Sequence, residues 1–151
     1  MRAESACWQN DRDQTIAEAF PGYELAASRN DPWTFGPIAY WMWRAGKTDI
    51  PVDRLALPYA LMIRGEWQMA AREWERIGCP FERALALAEG DEPAKRAALN
   101  IFEQLGAKPA ANVLRKELYE KEHFLTDLQR SSISVNKKVT APESKLLLAF
   151  H

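Results

Sequence analysis

The chain has 151 residues, 47% of them hydrophobic and 27% charged, which is the composition of a globular domain and excludes a disordered or fibrous protein. Twenty Lys and Arg residues against 21 Asp and Glu residues leave a net charge of -1, which argues against the cationic surface that nucleic-acid binding requires. The sequence shows neither a secretion signal nor an apolar run near the roughly 20 residues that span a bilayer, so we expect a cytoplasmic protein that binds no membrane.

The N-terminal region predicts a pair of helices. Apolar residues recur at helical spacing over 2–9 and 12–28, and Asn10-Asp11 separates the two segments. Pro21-Gly22 lies inside the second segment, where a proline removes a backbone hydrogen bond. We therefore expect the second helix to be kinked or broken at this dipeptide.

A second predicted pair follows. Residues 37–45 favour a helix that ends at Gly46, and residues 53–64 favour another that ends at Gly65. Both glycines stand where a helix commonly stops in the left-handed conformation. The residues between the two helices, which include Pro51, are expected to form a loop.

The middle of the chain contains the clearest helical signals. One face of the segment 66–77 is apolar, a short helix follows from Pro80 towards Gly90, and a third apolar stripe runs over 92–105. Asp91 stands at the start of the third helix as a good N-cap. A further helix, from Ala107 to about Glu120, completes a second hairpin.

These two hairpins are related in sequence. The segment Trp74-Glu75-Arg76-Ile77-Gly78 matches Phe102-Glu103-Gln104-Leu105-Gly106 as aromatic, Glu, polar, aliphatic and Gly, and Pro80 corresponds to Pro109. The two units lie 28 to 29 residues apart, and each has the form helix, turn, helix. We therefore predict an all-α fold of about eight helices, a tetratricopeptide-like stack of antiparallel hairpins over residues 1–123.

The remaining residues, 124–151, predict a poorly ordered tail or a short docking segment. Serine, asparagine and lysine dominate residues 131–138, and such a stretch cannot bury an apolar face. Ile133 and Val135 could form a brief strand, and the apolar residues 146–150 could form a short helix.

Residues with catalytic potential are few. Neither His123 nor His151 has a second metal ligand at zinc-like spacing, and Cys7 and Cys79 can be explained as buried or half-exposed thiols. No phosphate loop, GxSxG elbow or HExxH motif is present. We therefore predict that the protein is not an enzyme and has no metal or cofactor site. The alternative is an enzyme of unfamiliar geometry, with His123 or a cysteine beside a carboxylate in a cleft.

Six tryptophans are the unusual part of the composition, and most are expected in the core. Trp41 and Trp43 cannot both point inward on one helix, because two residues apart their side chains diverge by about 200°. One of them must face another layer, a groove or a partner. Arg44 could supply a polar anchor beside it, so Trp41, Trp43 and Arg44 are the candidate binding residues.

Several segments of residues 1–120 together carry a family likeness. They include Trp41-Met42-Trp43-Arg44-Ala45-Gly46, Pro58-Tyr59-Ala60-Leu61, Gly65-Glu66-Trp67 and Gly78-Cys79-Pro80-Phe81-Glu82-Arg83-Ala84-Leu85. These segments resemble the helical-repeat region of large ATP-dependent LuxR-type transcriptional regulators. The resemblance implies a tetratricopeptide-like array that senses inducers or partner proteins. The ATPase motif and the Leu-Thr-x-Arg-Glu opening of that family's DNA-binding domain are missing, so neither activity is implied.

Two functions are therefore expected from the sequence. The first is a non-enzymatic module that binds a protein or peptide, or a second copy of itself as a homodimer, because stacked hairpins form a curved surface and leave apolar ends. The alternative is a domain that senses a small-molecule inducer in an aromatic-lined groove.

Overall fold

The computed structural model describes the backbone of residues 11–149 and the side chains of residues 11–134. Within this range the chain is all-α, as predicted, and none of these residues forms a β-strand. The helices are α1 (Arg12–Ser28), α2 (Pro32–Arg44), α3 (Leu57–Ile63), α4 (Trp67–Ile77), α5 (Pro80–Ala88), α6 (Glu92–Gln104) and α7 (Lys108–Ala149), with a 3-10 turn at Val52–Arg54. The predicted helix over residues 2–9 lies outside the described residues.

The described chain divides into two compact units, the first ending at Leu114 and the second beginning at Arg115. Within the first unit, each helix from α1 to α5 packs against the next helix in the sequence. Such neighbour-to-neighbour packing is typical of stacked helical hairpins, in which each helix buries its stripe on the adjacent one. The predicted division into a repeat domain over residues 1–123 and a tail over residues 124–151 stays a prediction.

Aromatic rings and alanines are both prominent in the core of the first unit. The indole of Trp74 meets the ring of Tyr59 edge to face at 4.8 Å between centroids, and its Nε1 donates a hydrogen bond to Met62 Sδ at 3.2 Å. Alanines such as Ala70 and Ala98 are fully buried. Because alanine has a small side chain, the helix axes approach closely and the large rings fill the remaining space.

The helices α4, α5 and α6 confirm the predictions for the middle of the chain. Their bounds agree with the predicted segments to within one or two residues. Asp91 caps α6, since its carboxylate accepts a hydrogen bond from the backbone N–H of Ala94 at 3.0 Å. Pro93 lies in the first helical turn, where its missing N–H removes no helical hydrogen bond.

The two turns that the sequence repeat equates have the same geometry. Gly78 and Gly106 both have positive φ, +85° and +69°. In each turn the residue after the glycine donates to the carbonyl five residues before it: Cys79 to Trp74 at 3.0 Å, and Ala107 to Phe102 at 2.9 Å. This is the Schellman pattern, and the aromatic residue that accepts the bond is buried in both cases. The same pattern also follows Gly46 and Gly65, where Lys47 donates to the carbonyl of Met42 at 3.0 Å and Glu66 donates to that of Leu61 at 2.9 Å. The turn is therefore common to four helix ends, and the sequence repeat stays a prediction.

Helix α2 begins five residues earlier than predicted. The carboxylate of Asp31 accepts hydrogen bonds from the backbone N–H of Trp33 at 3.1 Å and from the hydroxyl of Thr34, which starts the helix at Pro32. Pro37, which the prediction placed at the helix start, lies inside α2. The correction brings Trp33 onto the helix.

Two further proline positions differ from expectation. The predicted helix over 53–64 is divided into a 3-10 turn and α3, because Leu55 and Ala56 are extended and Pro58 occupies the first turn of α3. In α1, by contrast, the helix continues through Pro21, so it is not broken there, and the predicted kink stays a prediction.

The backbone from residue 124 to Ala149 is helical, so the predicted strand at Ile133 and Val135 is wrong. Polar side chains in this segment bond back to their own helix: Thr126 Oγ1 donates to the carbonyl of Glu122 at 2.9 Å, and Ser131 Oγ donates to that of Asp127 at 3.0 Å. The sequence also has no glycine after Gly106 that would end the helix. Among the described residues, no helix is long and apolar enough to cross a membrane.

Candidate functional site

Trp41 and Trp43, the two predicted binding tryptophans, lie on different faces of α2. Trp41 is buried and its ring meets that of Tyr40 at 5.1 Å between centroids. Trp43 is half-buried, and its ring lies 6.0 Å from the Tyr40 ring. The structure therefore places Trp41 in the core and leaves Trp43, with Arg44, at the surface.

Trp43 and Arg44 line an open cleft of about 390 Å³. Its walls come from the end of α2, the loop that follows, and the residue after α5. The lining residues are Trp43, Arg44, Gly46, Lys47, Thr48 and Glu89. The volume is within the range of small-molecule sites, but only one of these residues is aromatic.

Both cationic side chains that line this cleft form ion pairs. The guanidinium of Arg44 pairs with the carboxylate of Glu89 across the cleft, and it also donates to the Tyr40 hydroxyl at 3.2 Å. The ammonium of Lys47 contacts Asp49 at 2.7 Å and lies 5.2 Å from the centre of the Tyr23 ring. The hydrogen bond from the Lys47 ammonium to the Asp49 carboxylate raises the pKa of Lys47 and lowers that of Asp49. The cleft thus places the indole of Trp43 beside compensated charges.

A second surface feature, which the sequence reasoning missed, is Trp33 in the first turn of α2. Trp33 is 53% exposed, and Leu57 in the first turn of α3 is 55% exposed. The backbone N–H of Ala56 donates to the carbonyl of Pro32 at 3.2 Å, which ties together the starts of these two helices. We call Trp33 and Leu57 the Trp33 surface. The Asp31-Pro32 dipeptide, an N-cap followed by proline, was the sequence signal that places Trp33 on a helix.

Titratable groups outside these surfaces show no convergence within the described residues. No cluster of three or more His, Cys, Asp or Glu side chains there is arranged to hold a metal ion. His123 is exposed, with its Nε2 3.1 Å from the Tyr119 hydroxyl. Burial and the nearby Glu82 raise the pKa of Cys79, which lowers its thiolate population. Cys7 and His151 lie outside the described residues.

Comparison with known proteins adds no family to this description. No protein-family model, curated protein or solved structure matches the chain. The resemblance to the repeat region of LuxR-type regulators rests on the sequence residues given above and stays a prediction. The function is therefore argued from the geometry of the two surfaces.

Proposed function

We propose that the chain is a non-enzymatic, tetratricopeptide-like interaction module that binds a protein or peptide partner. The observation that supports it best is the exposure of Trp33. A tryptophan with half of its surface in water is a large apolar group that the described residues of the first unit cover only in part. Tryptophan is also the residue type most often found among the few that dominate binding energy at protein interfaces.

The surroundings of Trp33 make it a rigid anchor. Its ring packs edge to face on the buried Trp74, with 6.3 Å between centroids. The adjacent Asp31 caps the helix, and the Pro32 carbonyl is held by Ala56. A side chain that is held in place before binding loses little conformational entropy in the complex, so more of its contact energy appears as affinity.

Peptide display against the purified chain tests this proposal. Peptides enriched from a random library should bind with an affinity that falls at least roughly 30-fold in Trp33→Ala, since an interface hot spot contributes about 2 kcal/mol or more. Leu57→Ala should weaken the same peptides. Phe20→Ala is the matched control, because Phe20 is an exposed aromatic residue on a different helix. The Phe20→Ala variant should bind the same peptides with wild-type affinity. Equal binding by wild type and Trp33→Ala would contradict the proposal.

Small-molecule sensing is the second candidate function, and the cleft beside Trp43 favours it. The indole of Trp43 offers a face for a planar ring, and the Arg44–Glu89 pair offers a donor and an acceptor. A metabolite panel screened by thermal shift tests this function. A true ligand should raise the melting temperature of the wild type and of Trp33→Ala, and the shift should be lost in Trp43→Ala. A shift that survives in Trp43→Ala would place the ligand elsewhere.

A further inference from the structure

The second unit exposes large apolar side chains along a single helix. In α7, Leu125 and Leu128 are 48% and 49% exposed, and Phe124 beside them is exposed as well. An isolated helix gains most of its stability from packing an apolar face, and a face of this kind lacks cover within the described part of the unit. A surface that covers it would therefore stabilise the helix.

The apolar residues follow the spacing of a coiled coil. Leu118, Leu125 and Leu128 are separated by seven and three residues, which places them at the core positions of a heptad repeat. Leu118 is buried, so the exposed seam begins after it. Two polar residues, Lys121 and Ser132, occupy the remaining core positions of residues 119–134. We call the positions 121, 125, 128 and 132 the α7 seam.

The α7 seam is complementary to a second copy of itself that runs in the opposite direction. A two-fold axis between Thr126 and Asp127 places Leu125 opposite Leu128 of a second copy, and Lys121 opposite Ser132 of that copy. Apolar positions then meet apolar positions and polar positions meet polar ones. A two-fold interface requires such self-complementarity, because the same patch contributes both sides.

Charge decides the direction of the two helices. In a parallel pair, Lys121 would face Lys121 of the second copy within the core, and Glu117 would face Glu122 of the second copy at the flank. Like charges at these positions oppose association. The antiparallel pair separates both lysines and brings each one next to a serine hydroxyl.

We propose that α7 pairs with α7 of a second copy as an antiparallel two-stranded coiled coil centred between Thr126 and Asp127. Residues 115–134 alone extend about 30 Å at 1.5 Å per residue. The α7 seam consists of residues of the second unit, and the Trp33 surface proposed to bind a partner consists of residues of the first unit. The two proposals can therefore fail separately.

Sedimentation equilibrium of the full chain over a range of concentrations tests the pairing. The wild type should dimerise, and the double variant Leu125→Glu/Leu128→Glu should weaken dimerisation by at least roughly 100-fold, because carboxylates would replace the central leucines. Ile133→Glu is the matched control: Ile133 is exposed on the same helix but lies outside the seam, so dimerisation should be unchanged. Circular dichroism should show that all three proteins are folded and mainly helical, with a lower helicity only in the double variant, in which α7 loses its cover. A wild type that stays monomeric, or a dimer that the double variant leaves intact, would overturn the proposal.

Cross-linking tests the antiparallel direction. In a Cys7→Ser/Cys79→Ser background, one chain carries Lys121→Cys and a second chain carries Ser132→Cys. A short bis-maleimide added to the mixture should join residue 121 of one chain to residue 132 of the other. Products that join 121 to 121 and 132 to 132 would show a parallel pair and reject the proposed geometry.

Discussion

The rings of Trp33 and Trp74 meet edge to face, with 6.3 Å between their centroids, although Trp33 is 53% exposed and Trp74 only 2%. An exposed side chain of α2 therefore rests on the largest of the buried side chains among the described residues. Changes at Trp74 should consequently affect both the core and the surface, whereas changes at Trp33 should affect the surface alone.

Replacement of Trp74 by alanine should lower the free energy of unfolding by about 3–5 kcal/mol, the usual effect of removing a buried aromatic ring. Trp74→Phe should lower the free energy of unfolding by less, because phenylalanine keeps a ring against Tyr59. The remaining loss comes from the smaller ring and from the missing hydrogen bond to Met62. Trp33→Ala should lower it by about 1 kcal/mol or less, as expected for an exposed position. Urea unfolding followed by circular dichroism measures all three. A larger effect at Trp33 than at Trp74 would contradict this assignment of core and surface.

Gly36 should not tolerate a side chain. A Cβ atom at this position would lie 2.2 Å from the Tyr59 ring, so Gly36→Ala should destabilise the protein by about 1–3 kcal/mol despite alanine's higher helix propensity. Gly22→Ala is the control, because the nearest atom, Ile38 Cδ1, lies 3.6 Å away. This helical substitution should stabilise the protein by about 0.5–1 kcal/mol. Thermal unfolding of the two variants should show opposite shifts, and a stabilising Gly36→Ala would disprove the close approach.

The repeated turns at Gly78 and Gly106 should respond alike to substitution. Alanine at either position must adopt positive φ, which raises the energy of the folded state by roughly 1–2 kcal/mol. No atom lies within 4 Å of either added Cβ, so backbone strain is the whole effect. Asparagine, which tolerates the left-handed region, should be less destabilising. Denaturant unfolding of the four single variants checks this. Unequal effects of alanine at the two glycines would argue against a common turn.

Asp31 should contribute a pH-dependent part of the stability. The Thr34 hydroxyl and the Trp33 N–H hold the pKa of Asp31 below its ordinary value of 3.8 in the folded protein. The unfolded chain therefore binds this proton more readily, and the contribution is fully present above the ordinary value and lost as the pH falls through the folded pKa. Asp31→Asn keeps a capping oxygen that does not titrate.

The stability difference between wild type and Asp31→Asn should accordingly become less favourable to the wild type below about pH 4. Urea unfolding of both proteins between pH 7 and pH 2 measures the difference, and the other carboxylates cancel in the subtraction. If the stability difference between wild type and Asp31→Asn did not vary with pH, the charge of the Asp31 carboxylate would not contribute to the helix cap.

Local signals explain which helices the sequence predicted well. The helices α4, α5 and α6 have an apolar stripe and clear stop or start residues, such as Gly78 and Asp91, so each was recognisable from a short window. The start of α2 was missed because Pro37 suggested a helix start, while the surrounding structure accepts this proline inside the helix. The strand predicted at Ile133 and Val135 was wrong because these β-branched residues lie within a continuous helix, in which Ser131 donates back to the carbonyl of Asp127.

The candidate site was predicted only in part, because a local sequence pattern does not determine which side chains are buried. The angular difference of two residues on a helix required Trp41 and Trp43 to diverge, but it did not say which ring enters the core. Packing of α2 against its neighbours decided that Trp41 is buried and that Trp43 lines the cleft. The exposure of Trp33 depends on the same packing, since no local pattern tells how much of a ring a distant helix covers.

The sequence by itself determined the all-α fold class, the middle helices and the glycine turns at helix ends, because periodicity, caps and left-handed stops act within a few residues along the chain. The tertiary structure decided which tryptophans face water and which side chains line the cleft, because burial depends on residues far apart in sequence. Trp33 and Trp74 are 41 positions apart, and only folding brings one ring onto the other.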